Sequence, residues 1–143
     1  MADPIAPSLA GVLSEFFDNY AAAINANDED VILSFLATPH GIRRGQETIF
    51  LETTEEVREN MDAILWKYEE NGVEIVTPTL LEARELPGEQ AAAARVGWRL
   101  TGENGEERLR FETLYTLAAE DNVWAIVAVD ATEEVAAWAT AGW

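Results

Sequence analysis

A change of hydrophobic period at Asn71-Gly72 does most to limit the folds open to this chain. Before it, apolar residues return every three or four positions, as in Leu9, Val12, Leu13, Phe16, Phe17, Tyr20 and Ile24, which share one helical face opposite Ser14, Glu15, Asp18 and Asn19. From Val73 onward apolar and polar residues alternate, the period of half-buried strands. Helices grouped ahead of a strand meander make an α+β architecture in which one face of the sheet packs on the helices.

The boundaries follow from capping and turn chemistry. Ser8 is the N-cap of the first helix, and Asn25 to Asn27 stop it because asparagine tolerates left-handed dihedrals. Asp28 caps a second, short helix from Glu29 to about Leu36, which Thr38-Pro39-His40-Gly41 ends. A strand candidate, Thr48-Ile-Phe-Leu, precedes the capping-box spacing Thr53-Thr-Glu-Glu56, which opens a third helix carrying Val57, Met61, Ile64, Leu65 and Tyr68. Strands are then expected at about 73 to 86, 90 to 102, 107 to 118 and 122 to 130, divided by Pro87-Gly88, Glu103-Asn104-Gly105 and Glu120-Asp121-Asn122. A last helix begins near Asp130 to Thr132, with Val135 and Trp138 as its apolar points. The whole, residues 1–143, is expected to be one domain, with 1–8 a flexible N-terminus.

Charge narrows the function classes. Twenty-seven acids against nine basic residues give a net charge of -18, so nucleic acids and anionic membrane surfaces are not expected partners. With no cysteine and a single histidine, His40, neither a disulfide framework nor a histidine metal cage is expected. Gly41 to Gly45 enclose Ile-Arg-Arg and lack the lysine and hydroxyl of a P-loop, so no cofactor is expected either. There is no signal-like N-terminus and no run of about 18 apolar residues, which points to a cytoplasmic protein.

The helix-to-helix junction carries a resemblance. Phe16-Phe17, then Tyr20-Ala-Ala-Ala-Ile-Asn-Ala-Asn-Asp28, then Val31 to Phe35 resemble the nuclear transport factor 2-like superfamily, also called cystatin-like or SnoaL-like. The resemblance implies a cone of three N-terminal helices packed on a curved, mostly antiparallel sheet with a short C-terminal helix, an apolar pocket, and often a homodimer. Locally the first helix is similar to ketosteroid isomerases, which place an oxyanion-hole tyrosine where Tyr20 stands. Counting along without gaps, their general-base aspartate falls on Arg44 and their proton-donating aspartic acid near Thr113. Arginine stays charged and has no acceptor, so steroid isomerisation is disfavoured.

The hairpin between 90 and 118 has a register that can be read from its turn. With Asn104-Gly105 as a two-residue turn, Leu100 faces Leu109, Trp98 faces Phe111, Val96 faces Thr113 and Ala94 faces Tyr115, making an apolar inner face. Arg95, Arg99, Arg108, Arg110 and Glu112 take the outer face, where Arg99 opposes Arg110 and Glu112 is the nearest acid to separate them. Continuing the alternation points Trp124, Ile126, Ala128 and Asp130 inward. The outer strip Val123, Ala125, Val127 and Val129 predicts a homodimer through that face.

The pocket is therefore expected to be lined by Phe16, Tyr20, Trp98, Phe111, Thr113, Tyr115, Trp124 and Ile126, with Tyr20, Asp130 and His40 as candidate catalytic groups. Each has a plainer role. Tyr20 is a core aromatic or a donor to a bound carbonyl, Asp130 a pocket base or the cap of the last helix, and His40 a proton shuttle or a loop residue. Trp138 and Trp143 either close the pocket or join a dimer interface. Three functions remain: binding a small hydrophobic or aromatic molecule, which leads; cofactor-free isomerase, cyclase, dehydratase or epoxide hydrolase work; or a protein interaction module.

Overall fold

Ser8 opens α1, Leu9–Asn25, by accepting the Gly11 N–H at 3.0 Å. The computed structural model describes residues 8–88 and 90–143, so the expectation for residues 1–7 lies outside the described residues. α1 buries Leu13, Phe16, Phe17, Tyr20 and Ala21, the stripe set by its apolar spacing, and Asn27 ends the turn at φ 54°.

α2, Glu29–Ser34, is capped by Asp28 but stops two residues before the expected Leu36, because Leu36 already belongs to a strand. That strand, β1 (Leu36–Arg44), takes up the Thr38-Pro39-His40-Gly41 stretch that resembled a turn. It pairs antiparallel with β2, Glu47–Leu51, across the Gly45 turn, where φ is 65°. α3, Thr54–Glu70, starts where Thr53 Oγ1 accepts the Glu56 N–H at 3.1 Å and stops at Asn71-Gly72. Then come β3 (Ile75–Glu85), β4 (Ala91–Thr101), β5 (Glu107–Glu120), β6 (Val123–Asp130) and α4 (Thr132–Ala141).

The six strands form one sheet in the order β2-β1-β6-β5-β4-β3, antiparallel throughout except for β1 beside β6. The architecture is α+β: α1, α3 and α4 lie over one face, and the core gathers between them around Phe17, Leu13, Ile32, Leu100, Leu117 and Ile126.

The β4–β5 register is the one read from the sequence, with Trp98 opposite Phe111 and Ala94 opposite Tyr115. Its turn differs. Thr101 pairs with Glu107, leaving Arg108 in a bulge, and the loop closes through Gly102 and Glu106 instead of a two-residue turn. The bulge frees Arg108 to donate to the Asn71 carbonyl at 3.1 Å, fastening the hairpin to the end of α3. It also brings Glu107 to the opposed arginines: its Oε1 accepts from Arg110 at 2.7 and 2.9 Å and from Arg99 at 3.3 Å. Glu112, the expected mediator, pairs with Arg95 instead at 3.2 Å. The Arg110 hydrogen bonds in particular hold the Glu107 carboxyl below its ordinary value.

A second bulge has larger consequences. β5 meets β6 as Leu117–Ile126 and then Thr116–Ala128, so Val127 is an extra residue. Beyond it the faces exchange. Val129 lies opposite inward-facing Tyr115, and Asp130 lies opposite half-exposed Leu114 on the outer face. Both differ from the uninterrupted alternation, which had Val129 outside and Asp130 inside.

One side chain stands in for a strand. The Asn25 amide donates Nδ2 to the Val76 carbonyl at 3.0 Å and accepts the Val76 N–H at 2.8 Å, joining the end of α1 to β3. We expect Asn25→Ala to lower stability by about 2 kcal/mol, since two backbone groups lose partners at a part-buried position. An unchanged urea midpoint would show that water replaces the amide.

Candidate functional site

Between the inner sheet face and α1, α3 and α4 lies a cavity of about 80 Å³. Most of its wall is apolar: Ile24 from α1, Ile42 from β1, Met61 and Leu65 from α3, Phe111 from β5 and Val129 from β6. Its polar groups converge from six elements.

The central one is Glu134. Asp130 Oδ1 accepts the Thr132 N–H at 3.1 Å and the Thr132 hydroxyl at 2.6 Å, and Thr132 Oγ1 in turn accepts the Gly45 N–H at 2.8 Å. Those bonds fix where α4 starts, and hence which way its side chains face. Glu134 and Trp138, four residues apart, share the face that lines the cavity. Glu134 is only 8% exposed, and its Oε2 accepts the Tyr68 hydroxyl at 2.5 Å. Burial pushes the carboxyl up to about 7, against the Tyr68 hydrogen bond and the more distant Arg44 charge, which both favour ionisation.

Tyr20 reaches the cavity from α1, with its ring edge-on to Trp98 at 6.2 Å and to Phe35 at 5.7 Å. Burial, and then the Glu134 charge, raise its phenol above the ordinary value. The Trp98 indole donates to Tyr115 Oη at 2.9 Å, both side chains buried. His40 lies on β1 and is 4% exposed, with Nδ1 3.3 Å from the Ile126 carbonyl. Burial lowers its pKa, so the ring is neutral near pH 7, with the proton on Nδ1 and Nε2 left as an acceptor. Arg44, where the isomerase base would fall, lines the same cavity and donates to Asn60 Oδ1 at 3.1 Å. Trp138 Nε1 is buried without a hydrogen-bond partner among the described residues.

Of the residues singled out from the sequence, Tyr20, Trp98, Phe111, Tyr115 and His40 line this cavity. Phe16, Thr113 and Ile126 are buried in the packing around it, and Trp124 packs partly buried against that core. Asp130 lies away from it and accepts from Thr132, but it is not the cap that was expected: the N-cap of α4 is Ala131, with no side-chain cap hydrogen bond. Trp138 is in the wall, and Trp143 packs edge-on against Tyr68 at 6.4 Å. Sequence reasoning missed Glu134, the polar role of Tyr68, and Asn60. The signal for Glu134 was its four-residue spacing from Trp138 on a helix whose apolar face must turn inward. Among the described residues no group of three or more His, Asp or Glu side chains is placed to hold a metal ion, and no helix is long and apolar enough to cross a membrane.

Several solved structures share this fold. The protein Aln2 from a Streptomyces species matches with a TM-score of 0.64 at 11% identity, over 90% of this chain and 92% of its own. A domain of unknown function with a cystatin-like fold from Nostoc punctiforme matches with a TM-score of 0.64 at 14% identity, over 88% and 77%. A candidate ketosteroid isomerase from Shewanella frigidimarina matches with a TM-score of 0.56 at 20% identity, over 86% and 94%. At such identities the likeness is one of fold. No curated protein matches the chain in sequence. The match that reaches its sequence is a family model, NTF2-like protein (DUF6841), over residues 11–134, and the chain belongs to that family.

Proposed function

We propose that this protein takes up a small, largely apolar molecule in the cavity and holds the molecule's polar end at the Glu134–Tyr68 pair. The observation that carries this reading is the combination itself: an apolar and aromatic wall with a few convergent polar groups is the usual make-up of a small-molecule site. Native mass spectrometry of protein purified without added ligand is the direct test. A retained small molecule that is lost, or bound about tenfold more weakly, in Tyr68→Phe supports the reading. A protein that retains nothing and binds no member of an apolar fragment set overturns it.

One observation favours a second reading, a cofactor-free acid–base enzyme of the isomerase, cyclase, dehydratase or epoxide hydrolase kind. Glu134 titrates at about 7, where a group gives and takes protons near neutral pH with equal ease. In that reading Glu134, and not Asp130, is the acid–base group.

The partner proposal is a second copy of this chain on the outer sheet face. Phe50, 68% exposed, and half-exposed Leu114 and Leu81 supply apolar surface there, beside the Arg95–Glu82 and Arg95–Glu112 pairs. Sedimentation at micromolar concentration should report a dimer, and a monomer in moderate salt would exclude it.

A further inference from the structure

The polar end that Glu134 would hold can be specified further, on the reading of the cavity as a ligand site. We propose that it is a protonated amine, so that the cavity takes a small apolar ammonium compound. Glu134 presents a carboxyl more than nine-tenths buried, and among the described residues no cation forms an ion pair with it. Tyr68 donates one hydrogen bond to Oε2. A buried carboxylate is ordinarily paired with a cation or surrounded by donors, and this one has a single donor and an adjoining space. An ammonium group in that space supplies the missing countercharge.

The walls suit such a guest. Tyr20, Tyr68, Trp98 and Trp138 all contribute to the lining, and aromatic faces attract cations. Lys67 Nζ already sits 5.0 Å from the Trp138 ring centroid. The net charge of -18 draws cations toward the molecule and repels anions.

Of the other groups around the site, the titratable ones stay neutral near pH 7, and neither cation beside it, Arg44 or Lys67, forms an ion pair with Glu134. Tyr20 on α1, Tyr68 on α3 and Tyr115 on β5 are held neutral, chiefly by burial. On β1, His40 is neutral near pH 7, while Arg44 keeps its charge, donates to Asn60 and favours the Glu134 carboxylate from a distance without forming an ion pair with it. Glu134 is thus the group whose ionisation governs the charge a guest meets.

The test compares benzylamine, benzyl alcohol and toluene as probes by calorimetric titration, at about pH 6 and about pH 8. At the higher pH the carboxylate is ionised, and benzylamine should bind about tenfold or more tightly than benzyl alcohol. That preference should shrink at the lower pH, where the carboxyl takes up its proton. Glu134→Gln keeps an acceptor for Tyr68 and removes the charge, so it should abolish the preference for benzylamine over benzyl alcohol. Equal or tighter binding of benzyl alcohol at the higher pH overturns the amine assignment and leaves the cavity reading standing, as does a preference that survives in Glu134→Gln. The pH comparison on the unmodified protein decides the question even if the variant does not fold. Binding of none of the three probes, toluene included, removes both.

Discussion

Glu134→Gln makes the ligand-free protein more stable at pH 8 and leaves it nearly unchanged below pH 4.5. The carboxyl titrates at 4.5 when unperturbed and at about 7 in the fold, so over that interval the folded state keeps a proton that the unfolded state has lost. Stability from this group is therefore fully present below 4.5, falls as pH rises, and is gone above about 7. An interval of about 2.5 pH units at about 1.4 kcal/mol each sets the loss at ~3 kcal/mol. Glutamine does not ionise, and the variant escapes that loss. Other carboxyls act in the opposite sense, Glu107 among them, so the difference between variant and parent at each pH isolates Glu134. Urea midpoints from pH 5 to 8 give the curve. A variant less stable than its parent at pH 8 would mean that Tyr68 and Arg44 stabilise the carboxylate more than burial penalises it.

Phe17→Ala is expected to cost about 4 kcal/mol and to lower Tm by on the order of 15 °C. The ring is 1% exposed and stands edge-on to Phe16 at 5.1 Å and to Tyr20 at 6.4 Å, with Tyr115 across the gap at 4.8 Å. It therefore joins α1 to β5 directly beside the cavity, and its loss opens a void that three aromatic neighbours cannot fill without leaving their own contacts. Phe17→Leu keeps most of the volume and should cost less than about 1.5 kcal/mol. Denaturant unfolding of the two variants separates volume from aromatic contact. Equal losses in both would show that edge-to-face geometry, not filled space, is what matters there.

The parts of the fold that sequence disclosed are those fixed by local periodicity. The stripe from Leu9 to Ile24 shows its helix without further help, and the β4–β5 register follows from two alternating runs joined by a short glycine-bearing turn. β1 was hidden because Pro39, Gly41 and the Arg43-Arg44 pair interrupt its alternation. Its parallel partner β6 lies more than eighty residues on, and no local signal announces such a pairing. The site was legible where aromatic residues faced inward, at Tyr20, Trp98, Phe111 and Tyr115. It was missed at its acid, because a glutamate in a first helical turn reads as surface charge favoured by the helix dipole, which outweighed the four-residue spacing to Trp138. Only the tertiary phase of α4 shows that Glu134 turns inside while Glu133 stays exposed.

The extra residue at Val127 makes β6 tolerant of a change in its own length. Between the Asp121-Asn122 turn and the start of α4, the bulge takes up one residue more than the ladder needs, and Val129 meets the cavity as it would in a regular strand one residue shorter. Removal of one codon at Val127 would straighten the strand while keeping Ala128, Val129 and Asp130 opposite Thr116, Tyr115 and Leu114, so Val129 would stay inside and Asp130 outside, and a structure of that deletion variant is the check. A frame-preserving event of the commonest kind would thus be absorbed by the strand without carrying a single side chain from one face to the other.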